Sequence, residues 1–463
     1  MPNFVKDNKL AILLLTTIAV RALFLIILGN SVFFYDKTGE IHGSTAYDDY
    51  ALNLIDTGVY GRSLGVPDAN IAPLYSYVVA GVYATFGRSS LAVLLLHIIL
   101  DCITIALVYD IARRLFRQGT CFEQPLGEWV GFGAGMFTAL YPYLIFQNLT
   151  LIDTPLFMML MHLFIWLMIL LREQDSYTRK TGLIAVLAGM ILGVTTLGRA
   201  LLPLFAILTA FWFLMRLSLI QTVLRLLPVA IISVLVMIPW MIRTYQVYDD
   251  FVTVALNTGE NLWQGNNPMT IPLFNAGYDA QWSNPPVNAI RGDTFRNNDI
   301  LTEAALDYLR ENPQEIVPLL WTKFLVYWSL EITPRKNPLA GQSFTLGANG
   351  QLILGANPDA NLQDVATLSQ YESGLFDLVA RPVHVVYFGG LLLLALIGIG
   401  LSMSQWRELS LLWFLQISMT IMYLIFHPST RYRVPTDPLL FTFSAYALLI
   451  MIQAWLARRQ LSA

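Results

Sequence analysis

Three acidic residues flank apolar segments of this sequence and are well placed to do chemistry. Asp48 and Asp49 are adjacent and open an amphipathic stretch, and Asp153 follows an apolar run in Asn148-Leu-Thr-Leu-Ile-Asp-Thr-Pro155. Neighbouring carboxylates repel one another's charge, which suits a general base or a divalent-cation site. The alternative is helix capping, because Asp at a helix start accepts hydrogen bonds from free backbone N–H groups. The sequence predicts Asp48, Asp49 and Asp153 as catalytic candidates and leaves this alternative open.

Arginines in or beside apolar segments form a second group of candidates. Charged side chains are costly inside a membrane and mark functional sites by default, and the planar guanidinium fork suits phosphate oxygens. The predicted phosphate-binding residues are Arg199, Arg243, Arg431 and Arg433, and Arg21 also lies in an apolar run. Arg243 alternatively snorkels to lipid headgroups. Arg431 and Arg433 are expected to act together, and alternatively they are positive-inside residues.

An amide-rich segment forms the third candidate region. Asn261 and Asn266 lie with Trp263 in Asn257-Thr-Gly-Glu-Asn-Leu-Trp-Gln-Gly-Asn-Asn-Pro268. Amide groups and an aromatic face match the hydroxyl groups and C–H faces of a sugar. An ordinary turn-rich loop has a similar composition. Asn261 and Asn266 are therefore predicted to bind substrate, with the loop alternative open.

The composition places these residues in a membrane protein. The chain has 463 residues, of which 56% are hydrophobic and 13% are charged. This charged fraction is about half the ~25% of a soluble domain, and too few charges are present to cover a soluble surface. The net charge of −3 gives no basic excess for binding nucleic acid. Soluble enzymes, disordered chains and nucleic-acid binders are thereby excluded.

Long apolar runs recur along the whole chain. Since a helix needs roughly 20 residues to cross a bilayer core, the sequence predicts an all-α polytopic membrane protein with about 10–12 transmembrane helices, in a single domain over residues 1–463. The predicted spans are Leu10–Gly29, Ser89–Tyr109, Trp129–Phe146, Pro155–Leu171, two short helices within Gly182–Met215 that break near Gly198–Pro203, Leu226–Ile242, Val383–Leu401, Leu409–Phe426 and Pro438–Leu456. Pro318–Leu330 is a tilted span or an interfacial helix, which leaves the side of the C-terminus open. Ile71–Gly87 is predicted to be interfacial, because Pro, Ser and Gly interrupt it.

Basic residues set the predicted orientation in the membrane. Arg113, Arg114 and Arg117 follow one span, and such clusters mark the cytoplasmic side. Two large loops then face outward, namely residues 31–88, which carry interfacial helices, and residues 243–312. The acidic candidates lie at this outer surface. The expected location is the inner or plasma membrane of the cell, with the active site on the extracytoplasmic side.

Short motifs follow one another in a defined order along the chain. They are Arg21, Ala51-x-Asn-Leu-x-x-x-Gly-x-Tyr60, Ala72-Pro-Leu-Tyr75, Phe86-Gly87, Asp153, Gly193 with Leu197-Gly-Arg199, Pro239-Trp-Met-Ile-Arg243 and Arg431-Tyr-Arg-x-Pro435. In this order they resemble the C-type membrane glycosyltransferases of the protein mannosyltransferase and aminoarabinose transferase type. The resemblance covers nearly the whole chain, and the joint order is more specific than any single motif.

The resemblance implies a membrane glycosyltransferase. A sugar would pass from a polyprenyl-phosphate-linked donor to an acceptor hydroxyl at the extracytoplasmic face, with inversion and with an Asp of the first outer loop as general base. Asp153 matches the family's second outer-surface Asp. Basic residues would stabilise the charge that develops on the departing lipid phosphate.

The first outer loop departs from the family pattern. Aligning Tyr47 and Ala51 with the family's Tyr and Ala places the usual loop Asp near Gly43. The acidic pair Asp48 and Asp49 is then displaced by about one helical turn. Further candidates for the base in this loop are Asp36, Glu40 and His42.

The predicted partners are the polyprenyl-phosphate-sugar donor, a glycan, lipid or protein acceptor, and membrane lipids, without nucleic acid. No cofactor is required by the sequence, although the carboxylates are compatible with a divalent cation. The alternative functions are a polytopic transporter and a lipid-linked glycan flippase or polymerase. A transporter would need a polar lumen along several helices, whereas the charges here are few and biased toward one side.

Overall fold

The computed structural model describes residues 3–28, 45–290, 293–336, 338, 342–356 and 375–461. Its helices are α1 Asn3–Asp7, α2 Lys9–Leu28, α3 Thr45–Thr57, α4 Pro73–Phe86, α5 Ser90–Leu115, α6 Leu126–Ala139, α7 Pro142–Asn148, α8 Thr154–Glu173, α9 Arg179–Thr196, α10 Leu202–Leu214, α11 Leu219–Tyr248, α12 Thr258–Gly265, α13 Thr270–Ala276, α14 Thr294–Glu311, α15 Ile316–Tyr327, α16 Leu375–Leu401, α17 Trp406–Ile425, α18 Thr430–Arg433 and α19 Asp437–Leu461. Two antiparallel hairpins pair β1 Thr120–Cys121 with β2 Gln124–Pro125, and β3 Gln342–Leu346 with β4 Leu352–Ala356. The predicted all-α polytopic membrane fold is confirmed.

Eight helices in the described ranges are long and apolar enough to cross a membrane, or nine if the bent pair α6 and α7 forms one span. The bend of 57° falls just before Pro142, where a continuing helix would lack a backbone N–H. The difference from the predicted count lies in α10, with 13 residues, and α15, with 12 residues. At 1.5 Å per residue each helix is roughly 20 Å long or less, too short to cross a core of about 30 Å alone. The chain is an integral multi-pass membrane protein.

The predicted break near Gly198–Pro203 is confirmed. Helix α9 ends at Thr196 and α10 begins at Leu202, with Pro203 in its first turn. Proline suits this position because the first helical N–H groups have no partner within the helix. The five residues between the two helices form a turn that carries Arg199.

Two glycines bring α9 and α11 into close contact. A Cβ atom at Gly189 would lie 2.7 Å from the carbonyl oxygen of Val229, and one at Gly193 would lie 2.6 Å from that of Ser233. Residues four apart share a helix face, and small residues on such a face allow two membrane helices to approach closely. This contact fixes the end of α9, and therefore the turn that follows it, against α11.

Helix α8 is the central helix of the bundle. Of its most apolar stretch 78% is buried, against 17% for α2, and it packs between α5 and α9. Large apolar side chains of α2 and α11, such as Leu15 and Leu235, are exposed instead, as expected for lipid-facing helices. The first residues of α8 therefore lie at the middle of one end of the bundle.

Short helices occupy the two predicted outer loops. Helices α3 and α4 lie between α2 and α5, and α4 covers most of the segment predicted to be interfacial, with 14 residues. Helices α12, α13 and α14 follow α11. Residues 31–44, 291 and 292 of these loops lie outside the described residues. The assignment of residues 1–463 to a single domain stays a prediction.

Candidate active site

Asp153 directly precedes α8, at the centre of one end of the bundle. Its carboxylate makes no capping hydrogen bond to α8, so the capping alternative does not account for this residue. Its Oδ2 atom accepts a hydrogen bond from Arg199 Nε at 2.6 Å, and Oδ1 accepts from Arg199 Nη2 at 2.7 Å and from Arg431 Nη2 at 3.1 Å. Burial would raise the pKa of this 6% exposed residue, but the two guanidinium groups outweigh burial and hold the pKa well below its ordinary value. Asp153 is therefore an ionised anchor for two arginines.

Arg199 lies in the turn between α9 and α10 and reaches across to α8. Besides Asp153 it contacts Thr154, whose hydroxyl oxygen accepts from Nη2 at 3.2 Å, and its guanidinium lies 5.0 Å from the ring centroid of Phe157. Burial opposes its charge, but the Asp153 carboxylate raises the pKa of Arg199 above its ordinary value. The Nη1 atom is buried and has no hydrogen-bond partner among the described residues. One face of this cation is thus free to donate.

Arg431 in α18 supplies the second positive charge. Its side chain is one-third exposed, and its Nε atom has no hydrogen-bond partner within the described ranges. The adjacent Tyr432 ring stacks on Tyr423 at 4.7 Å and meets His427 edge to face at 5.5 Å. These aromatic contacts fix α18 against the end of α17. The cluster of Asp153, Arg199 and Arg431, called the Asp153 cluster below, carries one net positive charge.

Tyr47 brings the first outer loop to this cluster. Burial and the nearby Asp153 carboxylate raise the pKa of Tyr47 above its ordinary value, so its hydroxyl stays protonated. Its ring packs edge to face on Tyr75 of α4 at 4.8 Å. Tyr47 was not predicted as a site residue from the sequence, where it only aligns the first outer loop with the family pattern. Its place in the first-loop motif was the available signal.

Asp48 and Asp49 form their hydrogen bonds and ion pairs with residues outside the Asp153 cluster. Asp48 is buried, and its oxygens accept from the Tyr83 hydroxyl at 2.8 Å and from Arg88 Nη2 at 2.5 Å. Asp49 is partly exposed and pairs with Arg62 at 3.2 Å. Successive residues of a helix are turned by about 100°, so neither carboxylate shares the face of Tyr47. In the described part of the chain, no contact joins either residue to Asp153. Asp36, Glu40 and His42 lie outside the described residues.

Arg243 braces the first outer loop instead of joining the Asp153 cluster. Its guanidinium donates to the backbone carbonyl oxygens of Tyr60 at 2.5 Å and Asp68 at 2.6 Å. It also lies over the rings of Tyr60 and Trp240, at 5.5 and 5.0 Å from their centroids. These contacts tie the outer end of α11 to the segment between α3 and α4.

Arg433 has different contacts from Arg431. It is fully buried and pairs with Asp437 at 3.3 Å, and its Nη1 atom donates to the carbonyl oxygens of Tyr327 and Ser329. Residues two apart on a helix point about 200° away from each other. Arg433 therefore faces the bundle core, while Arg431 faces Asp153.

The amide-rich segment contacts a buried lysine. Asn266 Oδ1 accepts from Lys323 Nζ at 3.0 Å, and the same Nζ donates to the carbonyl oxygens of Phe426 and Ile425. Burial lowers the pKa of Lys323 to about 7. Asn261 donates to a backbone carbonyl four residues earlier. Lys323 is the one charged residue of the apolar segment Pro318–Leu330, and the structure joins it to one of the two amides predicted to bind substrate, Asn266.

Part of the chain matches a known protein family. Residues 70–242 match a family model described as dolichyl-phosphate-mannose-protein mannosyltransferase. The matched segment includes Asp153 and Arg199. No curated protein matches the chain significantly.

Solved structures match along nearly the whole chain. Archaeal oligosaccharyltransferase AglB from Archaeoglobus fulgidus, in complex with an inhibitory peptide and a dolichol-phosphate, has a TM-score of 0.56 at 15% identity over 98% of this chain and 51% of that chain. The complex of the Archaeoglobus fulgidus oligosaccharyltransferase with Zn and sulfate has a TM-score of 0.54 at 16% identity over 96% of this chain and 49% of that chain. The chain spans about half the length of these proteins. ArnT from Cupriavidus metallidurans bound to undecaprenyl phosphate has a TM-score of 0.42 at 12% identity over 97% of this chain and 77% of that chain.

The chain has the C-type membrane glycosyltransferase fold. The resemblance predicted from the ordered motifs is thereby confirmed. Within this C-type glycosyltransferase fold, Asp153 and Arg199 lie inside the segment that matches the mannosyltransferase family. Arg431 comes from outside that segment, and only the folding of α18 onto the start of α8 brings it there.

A divalent cation, with which the sequence is compatible, does not fit the Asp153 cluster. Both oxygens of Asp153 accept hydrogen bonds from guanidinium groups, and two arginines repel a second cation. Across the residues that the structure describes, no group of three or more His, Cys, Asp and Glu side chains converges. The cluster instead keeps two guanidinium donors, Arg199 Nη1 and Arg431 Nε, without hydrogen-bond partners among the described residues, and such donors attract an anion.

Proposed function

We propose that this chain transfers a sugar from a polyprenyl-phosphate donor to the hydroxyl group of a glycan, lipid or protein acceptor. The reaction proceeds with inversion at the anomeric carbon. The observation that carries the proposal is the Asp153 cluster, in which Arg199 and Arg431 are held by one carboxylate and keep donors without partners. The dolichol-phosphate bound to the AglB relative is a lipid of the proposed donor class.

The cluster suits a lipid phosphate as leaving group. Arg199 Nη1 and Arg431 Nε are buried donors that need acceptors, and phosphate oxygens match the guanidinium fork. As the bond between the anomeric carbon and the phosphate oxygen breaks, negative charge grows on that oxygen. Two preorganised arginines in a site of low dielectric stabilise this charge without reorganisation. Asp153 holds both arginines in place and neutralises one of them.

A carboxylate of the first outer loop is the proposed general base. The Asp153 carboxylate holds a proton poorly, because two arginines lower its pKa, and it is therefore a positioning residue. Asp49 is the more accessible of the two loop candidates, since it is partly exposed and has one ion pair, with Arg62. Asp48 is buried between Tyr83 and Arg88. The base takes the proton from the acceptor hydroxyl as that oxygen attacks the anomeric carbon.

The Asp153 cluster is proposed to face the extracytoplasmic side of the cell membrane. Asp153 precedes α8, whereas Arg172 lies in its last turn, and 20 helical residues span roughly 30 Å. The opposite end of the bundle also carries Arg113 and Arg114 in the last turn of α5. Basic residues collect on the cytoplasmic side of membrane proteins, which supports this orientation.

A transfer assay in lipid nanodiscs tests the proposal. The purified chain is mixed with polyprenyl-phosphate-linked sugars of different sugar type, and release of polyprenyl phosphate is measured. Asp153→Asn and Arg431→Gln are each expected to lower the rate about 100-fold or more, as removal of oxyanion stabilisation does. Asp175→Asn is the matched control, because this aspartate is exposed at the far end of α8.

The base and the stereochemistry have separate tests. Asp49→Asn is expected to abolish transfer while donor binding is kept, and Asp48→Asn is compared with it. NMR of the product is expected to show the anomeric configuration opposite to that of the donor. If full activity is kept in both loop variants, the base lies elsewhere. If no lipid-linked sugar is bound or consumed, the proposed function is wrong.

A further inference from the structure

A cavity with several charged side chains in its lining is found at the end of the bundle opposite the Asp153 cluster. Its volume is about 220 Å³. Its walls come from the ends of α5, α8 and α10 and the start of α17, and its charged lining consists of Arg114, Arg117, Arg172, Arg216, Glu173 and Glu408. The four arginines exceed the two glutamates, so the lining carries an excess of positive charge. We call this space the arginine cavity.

Existing ion pairs leave part of that charge uncompensated. Glu173 accepts from Arg114 at 2.6 Å and also from Arg117, and Glu408 accepts from Arg172 at 2.6 Å. Arg216 makes no ion pair with any residue in the described ranges. Asp110, which lies outside the cavity lining, also accepts from Arg114 at 2.6 Å. Three of the four arginines therefore have carboxylate partners, and Arg216 has none in the described part of the chain.

The arginines of the cavity repel one another. Burial lowers the pKa of Arg117 below its ordinary value, and the neighbouring charges of Arg114 and Arg216 lower it further. Arg172 is buried, and its Nε atom has no hydrogen-bond partner in the described part of the chain. Unsatisfied buried donors are costly. An anion in the cavity would relieve both the repulsion and the unsatisfied donor.

We propose that the arginine cavity binds the phosphate group of an anionic lipid headgroup. Basic pockets between transmembrane helices at the cytoplasmic side are suited to such headgroups. The volume has room for a phosphate group and part of its glycerol, given that one water molecule occupies about 30 Å³ in the liquid. Leu219 and Ile220, which follow Arg216 closely, are 67% and 73% exposed and offer an apolar surface to the acyl chains.

The proposal takes its orientation in the membrane from the proposed function and is otherwise independent of it. It uses none of the residues of the Asp153 cluster, which lies at the other end of α8. A bound phosphate would join the ends of α5, α8, α10 and α17 through charge-assisted hydrogen bonds. A lipid bound in the cavity therefore holds the ends of these helices together. We expect the chain to have higher thermal stability in anionic lipid.

Thermal unfolding in maltoside micelles tests the proposal. Phosphatidylglycerol, phosphatidylcholine or sodium phosphate is titrated into the full chain and into three variants. Arg216→Gln and Arg117→Gln each remove one cavity arginine with an exposed side chain, so both variants should fold. Arg179→Gln is the control, because it removes the same charge from an exposed position outside the cavity.

Phosphatidylglycerol is expected to raise Tm of the parent chain and of Arg179→Gln saturably, and phosphatidylcholine is not. Arg216→Gln and Arg117→Gln are expected to need at least about tenfold more phosphatidylglycerol for the same shift, as loss of ~1.4 kcal/mol implies. Equal shifts in all variants, or equal shifts with both lipids, overturn the proposal. If sodium phosphate reproduces the full Arg216-dependent shift and phosphatidylglycerol adds nothing, the lipid source is wrong and the cavity binds free phosphate.

Discussion

Arg199 donates from Nε and Nη2 to the two oxygens of Asp153, at 2.6 and 2.7 Å. The pair joins the turn between α9 and α10 to the start of α8, 46 residues away along the chain. Two parallel bonds fix the plane of the guanidinium as well as its position. The remaining donor of Arg199, Nη1, therefore has a defined direction.

Arg199→Lys is expected to lower sugar transfer about 100-fold, with the fold retained. A lysine ammonium keeps the charge but cannot bond both carboxylate oxygens in one plane, and a misplacement near 1 Å at a reacting centre costs about this much. Transfer from a polyprenyl-phosphate sugar is measured beside thermal unfolding. Arg179→Lys is the control, and activity within a factor of two of the parent chain would contradict the geometric argument.

Substitution by Gln is expected to lower stability at Arg433 and to lower sugar transfer at Arg431. Arg433→Gln leaves Asp437 buried without its cation, which should cost about 3–5 kcal/mol in the free energy of unfolding. Arg431→Gln leaves Asp153 paired with Arg199, so stability should change by about 1 kcal/mol or less while transfer is lost. Unfolding in mixed detergent micelles measures the first effect. Equal destabilisation by both variants would show that both arginines are structural.

Gly193→Ala is expected to destabilise the chain by about 1–3 kcal/mol and to lower transfer. The new Cβ atom would lie 2.6 Å from the Ser233 carbonyl oxygen and 2.8 Å from Val236 Cβ, so α9 must move away from α11 and carry Arg199 with it. Gly182→Ala on the same helix is the control, because its nearest neighbour would be Tyr177 Oη at 3.7 Å. Both Tm and transfer rate are measured, and a neutral Gly193→Ala would contradict the close contact.

Lys323 is expected to make stability depend on pH. Burial lowers its pKa to about 7 from an ordinary value of 10.5, so between these values the unfolded chain holds a proton that the folded chain lacks. Stability then rises with pH across this window, by up to about tenfold in the unfolding equilibrium per pH unit. Below pH 7 both states are protonated and the dependence ends.

Lys323→Met should flatten this dependence. The unfolding equilibrium of the parent chain, of Lys323→Met and of the exposed-site control Lys180→Met is measured at pH 7 and pH 9. The control should keep the parent's slope, because an exposed lysine has the same surroundings in both states. A slope unchanged by Lys323→Met would place the responsible group elsewhere.

The membrane fold could be predicted from the sequence, because its apolar runs are long enough to cross a bilayer. The break after Gly198 could also be predicted, because an apolar stretch of that length exceeds one bilayer and Pro203 starts a helix well. The number of transmembrane helices was harder to predict. Helices α10 and α15 are apolar in the sequence, and only their actual lengths show that neither spans the core alone.

The candidate site could be predicted from the sequence only in part. Asp153 and Arg199 were each predicted as candidates, yet the pattern did not predict that they bind one another. Asp48 carried the same sequence signal as Asp153, but its carboxylate pairs with Arg88, 40 residues later. Tyr47 borders the Asp153 cluster although its type and spacing gave no chemical signal by themselves.

The sequence by itself determined that this protein lies in a membrane, where its helices break and which charged residues flank its spans. These properties depend on local transfer free energies and on the backbone limits of proline, which act within a few turns of helix. The tertiary structure decided that Arg431 meets Asp153, 278 residues away, while Arg433 turns into the core. Such pairings depend on how whole helices pack in space, and side chains two positions apart on one helix reach different neighbours.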